Sequence, residues 1–298
     1  MGKAPRGWSR YVAAVAAELA PLGRPPVGLE GEITSTLPIG TGLSSSAALE
    51  IAVAIALCAV ADFRLEPMEL ARAAQRAEHR AVNVPSGIMD QAASLLGRAG
   101  HALLLDSGSL GYDHVRLPSE LALVVVYSGV SRRLEDSGYA KRRQELMEAL
   151  AALHGGDARR ITVADVEELG LAPAPARRLR HVVSENDRVR ETVRLLRDPS
   201  DRHLGRLGDV FREGHESVRR DFEATTAELD LLVELAYENG ARAARMTGGG
   251  FGGSIVALAD ASKAATLAAD VLADYLARSG RRGSAIVCQA SDGARELA

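Results

Sequence analysis

The residues best suited to chemistry lie in a glycine- and serine-rich stretch, Leu37–Ala48, which reads LPIGTGLSSSAA. An apolar, helix-favouring run follows it at once, from Ala47 to Ala61. A loop of small residues that opens a helix brings free backbone N–H groups together with the positive end of the helix dipole, and this arrangement suits a phosphate. The serine hydroxyls could donate further hydrogen bonds or bind a phosphate-associated Mg²⁺, which prefers oxygen ligands.

Taken alone, the same stretch is also explained by an ordinary N-capped helix after a turn. It is not a Walker A loop, because that pattern requires a lysine followed by serine or threonine after the last glycine, and Gly42 is followed by Leu43 and Ser44. The phosphate interpretation therefore depends on the residues elsewhere in the chain.

Two carboxylates are candidates for the same site. Glu78 lies near the end of a helix predicted at Pro67–Val82, and Asp90 lies in the first turn of the next predicted helix, which runs to Leu96. The sequence Asn-Val-Pro-Ser-Gly at 83–87 separates the two helices and allows both side chains to turn toward a common point. For Asp90 the alternative is a surface residue that interacts with the helix dipole.

A second glycine-rich stretch, Thr247–Gly253, reads TGGGFGG and contains the pattern GxGxxG. It connects two predicted strands, Ala243–Met246 and Ser254–Leu258, with no helix directly after it, so it does not fit a dinucleotide-binding loop. A plain hairpin is the alternative. Five glycines in seven residues exceed what a tight hairpin needs, and they allow backbone or ligand to approach closely.

The remaining elements mix helices and strands, which indicates an α+β fold. Helices are predicted at 8–20, 47–62, 138–153, 177–197, 202–220, 225–239 and 262–279. Strands are predicted at 27–35, 101–106, 121–127 and 284–288, the first of them from the alternation of Val27, Leu29, Gly31 and Ile33. Residues 155–175 are predicted to be a connection with short helical turns.

Composition excludes several classes of function. Of the 298 residues, 47% are hydrophobic and 25% charged, as in soluble globular proteins. The net charge of −3 does not indicate a nucleic-acid-binding protein. Cys58 and Cys288 have no CxxC partner, so neither a disulfide framework nor a zinc site is predicted. The start, MGKAPRGW, lacks an apolar signal core, and the run at 47–61 is too short for a membrane span and contains Glu50. A cytoplasmic protein without nucleic-acid or membrane partners is expected.

Three segments together resemble a known family. They read PIGTGLSSSAALE, AEHRAVNVPSGIMDQAASLLG and RMTGGGFGGSIV, and in this order and at these spacings they resemble the galactokinase branch of the GHMP small-molecule kinases. HALLLDSGSL, VSRRLEDSGYAKRRQE and HVVSENDRV resemble that family as well. The similarity extends from about Trp8 to Ala294.

The resemblance implies a two-lobed α+β fold like that of GHMP kinases. A ribosomal-protein-S5-like N-terminal lobe, incomplete here, is expected at 1–117, and a ferredoxin-like α/β C-terminal lobe at 118–298. The cleft between the lobes is expected to hold MgATP and a monosaccharide. The implied reaction is ATP-dependent phosphorylation of galactose at its anomeric hydroxyl, and the implied state is a monomer or a weak homo-oligomer.

The resemblance also implies roles for individual residues at the nucleotide end of the site. The loop would wrap the ATP phosphates through residues Gly40, Gly42, Leu43, Ser44, Ser45 and Ser46. Ser46, with Ser45 as the alternative, and Glu78 would bind Mg²⁺. Trp8 would stack on adenine, or else simply anchor the core.

At the sugar end, Asp90 would face the accepting hydroxyl either as catalytic base or as electrostatic partner, and the sequence leaves both roles open. Gly87 and Tyr139 would line the sugar pocket. The loop Gly248–Gly253 would form the floor between the sugar and phosphate sites.

One departure limits these expectations. The chain lacks a signature like GRVNLIGEHTDY, which in this family supplies a catalytic arginine and residues that hold the sugar. As a minor change, Ser86 stands where the family often has a cysteine. A truncated galactokinase is expected. The alternatives are a short kinase for a related sugar, such as N-acetylgalactosamine or a uronic acid, and a non-catalytic regulator that binds sugar and ATP.

Overall fold

The computed structural model describes residues 7–131, 138–198 and 200–297. The Cα positions divide the chain into two compact units. The first spans Met1–Ile39, Leu43–Val115 and Ala290–Ala298, and the second spans Gly40–Gly42 and Arg116–Gln289.

Helices and strands alternate along the chain in blocks. The α-helices are α1 (Ser9–Leu19), α2 (Ser45–Val60), α3 (Pro67–Val82), α4 (Met89–Leu96), α5 (Tyr139–Ala151), α6 (Val163–Glu168), α7 (Pro173–Arg197), α8 (Asp201–Ser217), α9 (Ala227–Glu238) and α10 (Ala264–Ser279). The strands are β1 (His101–Leu105), β2 (Tyr112–Arg116), β3 (Leu121–Tyr127), β4 (Ala243–Met246), β5 (Ser254–Asp260) and β6 (Ser284–Cys288). A 3₁₀ turn at Ala20–Leu22 follows α1, and a π-helical turn at Val218–Phe222 follows α8.

The core of the first unit forms where α1, α2 and α3 pack together. Val15, Leu57 and Leu70 meet there with several alanines, whose small side chains let the helix backbones approach closely. The buried stripe of α3 contains Leu70, Ala74 and Ala77 at helical spacing, and Glu78 is the next residue of the same stripe. The helix phase therefore directs the Glu78 carboxylate inward.

The break between α3 and α4 is confirmed. Pro67 starts α3, where its missing N–H costs nothing, and Asn83 ends it in the left-handed conformation at φ 55°. The chain then crosses Pro85 and enters α4 at Met89.

The second unit contains an antiparallel four-stranded sheet in the order β4-β5-β3-β6. In the central strand β3, Ala122, Val124 and Val126 are buried in the core that the sheet forms with the helices α9 and α10. In the register, Leu123 lies opposite Leu258 and Tyr127 lies opposite Ser254. The register thus places the start of β5, directly after the glycine-rich loop, beside the end of β3.

Arg178 of α7 holds α5 in place within the second unit. Only 1% of the Arg178 side chain is exposed, and its guanidinium donates to Glu145 of α5 at 2.8 Å and to Glu223 at 2.6 Å. It also donates to the backbone oxygen of Asp221 in the π-helical turn. A buried arginine requires such partners, since an unpaired charge would be costly to bury. This network supports the helix that begins at Tyr139.

The glycine-rich loop Thr247–Gly253 is fixed by backbone hydrogen bonds to other segments. The N–H of Phe251 donates to the oxygen of Ala224 at 2.7 Å, and the N–H of Gly253 donates to the oxygen of Val130 at 2.9 Å. Gly250, at φ +76°, lies so close to Ala224 that an added Cβ would be 2.1 Å from its carbonyl oxygen. The glycines therefore serve a close approach of backbone, which a plain hairpin would not need.

One predicted strand is wrong. Residues 27–35 form no strand, and neither of the two sheets formed by the described residues includes them. Val27, Leu29 and Ile33 are 42%, 50% and 50% exposed. Apolar alternation marks a strand face, but a strand exists only when a neighbouring strand pairs with its backbone.

Two further elements of the structure differ from the prediction. The strand β2, which reads YDHVR, was not predicted, because only Val115 of its five residues is buried and no alternation is visible. Helix α7 begins at Pro173, ahead of the predicted start at Arg177, because Pro173 and Pro175 occupy its first turn, where proline is tolerated.

Among the described residues, no helix combines the length and the apolar character that crossing a membrane requires. The cytoplasmic location, the oligomeric state and the lobe boundary at 117/118 stay predictions.

The close approach at Gly250 predicts a large cost for a side chain there. We expect Gly250→Ala to destabilise the protein by about 3 kcal/mol or more, since overpacking adds to the strain of positive φ. The matched control is Gly240→Ala, at φ +89° with open space around the new Cβ, where about 1–2 kcal/mol is expected. Urea unfolding measures both. Equal losses in the two variants would contradict the packing argument.

Candidate functional site

The serine-rich loop leads into α2 through three residues with positive φ. Gly40 and Gly42 have φ of 78° and 83°, and Ser44, the N-cap residue, has φ 51°. A serine in this region is strained, and such strain is often found at ligand-binding loops. The Ser44 side chain makes no capping hydrogen bond to the first turn of α2.

The tip of this loop lies against the glycine-rich loop. Thr41 is buried, and its carbonyl oxygen accepts a hydrogen bond of 2.7 Å from the hydroxyl of the fully buried Ser254. An added Cβ on Gly42 would lie 3.6 Å from the Cα of Gly253. The structure therefore brings together the two glycine-rich stretches that the sequence singled out.

Ser46 and Glu78 are also brought together. The Ser46 hydroxyl donates to Glu78 Oε1 at 2.8 Å, because the first turn of α2 lies beside the end of α3. Glu78 is buried, with 6% exposed. Ser86, in the connection between α3 and α4, donates to Glu78 Oε2 at 2.5 Å. Ser46 and Glu78 thus present a hydroxyl and a carboxylate at the start of α2.

This pair of oxygen donors fits Mg²⁺ carried by a phosphate. No group of three or more His, Cys, Asp or Glu side chains in the described ranges could hold a metal ion by itself. Mg²⁺ commonly needs only one or two protein carboxylates, since waters and substrate phosphates complete its shell. The role of Ser46 and Glu78 as metal ligands stays a prediction.

Two buried polar residues that the sequence reasoning did not assign to the site complete the surroundings of Glu78. Gln91 of α4 donates through Nε2 to Glu78 Oε2 and to Glu50 Oε2, both at 3.1 Å. Gln91 and Glu50 are fully buried. Within the described residues, Glu50 Oε1 and Gln91 Oε1 have no hydrogen-bond partner. The sequence did carry one sign of Glu50: it is a carboxylate inside the apolar run of α2.

Burial raises the pKa of Glu50 to about 9, and the negative charges of Glu78 and Asp90 add to this effect, against the hydrogen bond from Gln91. Glu50 is therefore protonated and neutral at neutral pH. Burial also raises the pKa of Tyr11 in α1, with smaller contributions from Glu78 and Glu50 that act in the same direction.

The remaining predicted residues lie in different places. Asp90 is in the first turn of α4 and half-buried, and Gly87 is exposed just before that helix. Trp8, at the start of α1, is 61% exposed, so it does not anchor the core. Tyr139 is the first residue of α5 in the second unit, directly after Gly138, whose Cα faces the Phe251 ring of the glycine-rich loop. Their contacts with substrates stay predictions.

Family models match both units of the chain. The model described as "GHMP kinases N terminal domain" matches residues 10–98, and the model described as "GHMP kinases C terminal" matches residues 193–277. These two matches, which together cover more than half of the chain, define a GHMP kinase.

Individual relatives narrow this class. A galactokinase of Chloroflexus aggregans is 40% identical over 296 residues, which cover 97% of this chain and 75% of that protein. A galactokinase of Pyrococcus furiosus is 34% identical over 286 residues, with coverage of 96% and 80%. The crystal structure of Lactococcus lactis galactokinase complexed with galactose matches with a TM-score of 0.89 at 28% identity, and the match covers 99% of this chain and 78% of that one.

The chain belongs to the galactokinase family. It is accordingly a phosphotransferase with an alcohol group as acceptor, and it uses ATP as the phosphoryl donor.

The raised pKa of Glu50 predicts a pH-dependent gain in stability for Glu50→Gln. Between pH 4.5 and about 9 the native state retains a proton that the unfolded state has released, so the wild-type free energy of unfolding falls as pH rises. Glutamine does not titrate. The advantage of Glu50→Gln over wild type should therefore grow by about 2–3 kcal/mol from pH 5.5 to pH 7.5 in urea unfolding.

The exposed Glu69→Gln in α3 is the control for the loss of a carboxylate. A constant difference between Glu50→Gln and wild type at the two pH values would show that Glu50 is not protonated in the native state.

Proposed function

We propose that this chain catalyses ATP-dependent phosphorylation of galactose at its anomeric hydroxyl, which yields galactose 1-phosphate. The family assignment supports the reaction class. The observation that carries the proposal is the contact between the Ser46 hydroxyl and the buried Glu78 carboxylate at the start of α2, where the Ser44 side chain makes no capping hydrogen bond.

The start of α2 is proposed to bind the ATP phosphates. Backbone N–H groups of the loop from Gly40 to Ser46 would donate to phosphate oxygens, and the helix dipole would favour their negative charge. The positive φ of Gly40 and Gly42 lets the backbone turn back on itself around a ligand. The tip of the loop is held by the hydrogen bond from Ser254 to the carbonyl oxygen of Thr41.

Ser46 and Glu78 are proposed to hold Mg²⁺ at the phosphates, with Ser45 as the alternative to Ser46. The ion supplies charge neutralisation for the transferred phosphoryl group. Glu78 is suited to this role because its carboxylate is buried, oriented by three donors, and faces a hydroxyl.

Asp90 is proposed to act on the accepting hydroxyl, either by taking its proton or by holding it in line for attack. Its place in the first turn of α4, just after Gly87, suits a carboxylate that faces a small ligand. Gly87 and Tyr139 are proposed to line the sugar pocket, and the exposed Trp8 to stack on adenine.

An assay of ADP release against a panel of sugars tests the proposed reaction. With galactose, N-acetylgalactosamine and galacturonic acid as acceptors, we expect kcat/KM to be at least about tenfold higher for galactose than for the other two sugars. A site that forms hydrogen bonds to the hydroxyls of its substrate strongly rejects analogues in which those groups are altered. The Chloroflexus aggregans galactokinase serves as positive control. A higher kcat/KM for another sugar would identify that sugar as the substrate instead of galactose. Galactose binding without turnover of any sugar would favour a non-catalytic regulator.

The role of Asp90 has its own test. Asp90→Asn should lower kcat by about 10²–10⁴-fold, the usual contribution of a group that handles the proton, while the Kd for ATP stays within about twofold. Glu69→Gln, which removes an exposed acid from the first turn of α3, is the matched control. Wild-type turnover in Asp90→Asn would eliminate Asp90 from the mechanism.

A further inference from the structure

The carboxylate of Glu78 has two oxygens in different surroundings. Oε1 accepts a hydrogen bond from Ser46 at the start of α2. Oε2 accepts from Ser86, in the connection between α3 and α4, at 2.5 Å and from Gln91 of α4 at 3.1 Å. Two donors on one oxygen fix the plane of the carboxylate and leave Oε1 directed toward Ser46.

The amide of Gln91 is itself held at two points. A primary amide carries two N–H donors, and Nε2 of Gln91 lies 3.1 Å from Glu78 Oε2 and 3.1 Å from Glu50 Oε2. Both N–H groups therefore have carboxyl acceptors on different helices, α3 and α2. Because Gln91 and Glu50 are fully buried, water does not compete for these bonds.

We propose that Gln91 and Ser86 are positioning residues that aim Oε1 of Glu78 at the metal bound to the nucleotide, with Glu50 as the buried support of Gln91. This inference rests on the proposed function, because it requires Glu78 to be a metal ligand.

The test is direct metal binding. Mn²⁺ titration followed by EPR, in the presence of a non-hydrolysable ATP analogue, reports the metal affinity without turnover. Gln91→Met preserves length but removes both N–H groups, and Ser86→Ala removes the hydroxyl. Each should weaken Mn²⁺ binding by about 10–100-fold, as is usual when a group that orients a metal ligand is lost.

Nucleotide binding without metal separates positioning from general damage. The Kd for the analogue in EDTA should stay within about twofold of wild type in both variants, and Ser86→Thr, which keeps the hydroxyl, should restore Mn²⁺ affinity. Gln144→Met, which removes an exposed glutamine that donates to Glu148, is the control. If Gln91→Met does not fold by circular dichroism, Ser86→Ala and Ser86→Thr carry the test.

Glu78→Gln distinguishes the two possible failures. If Glu78→Gln weakens Mn²⁺ binding but Gln91→Met and Ser86→Ala do not, the positioning role is wrong and the proposed metal site stands. If Glu78→Gln itself leaves Mn²⁺ binding unchanged, the metal site of the proposed function is wrong as well.

Discussion

The Glu78 carboxylate is a point at which three segments of the first unit meet. It accepts hydrogen bonds from the start of α2, from the connection after α3 and from α4. A buried carboxylate is tolerated only when such donors replace water, so these segments must keep their mutual positions for the site to exist. The alanine-rich packing of α1, α2 and α3 supplies this rigidity, because small side chains leave little freedom for the helices to shift.

The second unit shows the same dependence of a loop on its surroundings. The glycine-rich loop is bound to Ala224 and Val130 by backbone hydrogen bonds, and Ser254 after it holds the carbonyl of Thr41. Contacts made far away in the sequence thus fix the position of Thr41, which lies between Gly40 and Gly42 with their positive φ.

Much of the fold was predictable where a pattern has a local cause. The strands β3, β4, β5 and β6 and most helices follow from apolar runs and spacing, and the break after Asn83 follows from Pro85 and Gly87. The strand at 27–35 was wrong because pairing is not local, and β2 was missed because its side chains are mostly exposed. In the site, Ser46 and Glu78 were predicted as partners, whereas Glu50 and Gln91 were not assigned to it.

The sequence by itself determined the family, the order of the motifs and the phase of α3, which turns Glu78 inward along the stripe of Leu70, Ala74 and Ala77. It could not show that Glu50 and Gln91 meet Glu78. Helix α2 is apolar on nearly every side, so its periodicity does not reveal which neighbour Glu50 faces. That choice depends on how α2, α3 and α4 pack, and only the tertiary structure places one amide between two carboxyl groups and gives one of them a proton.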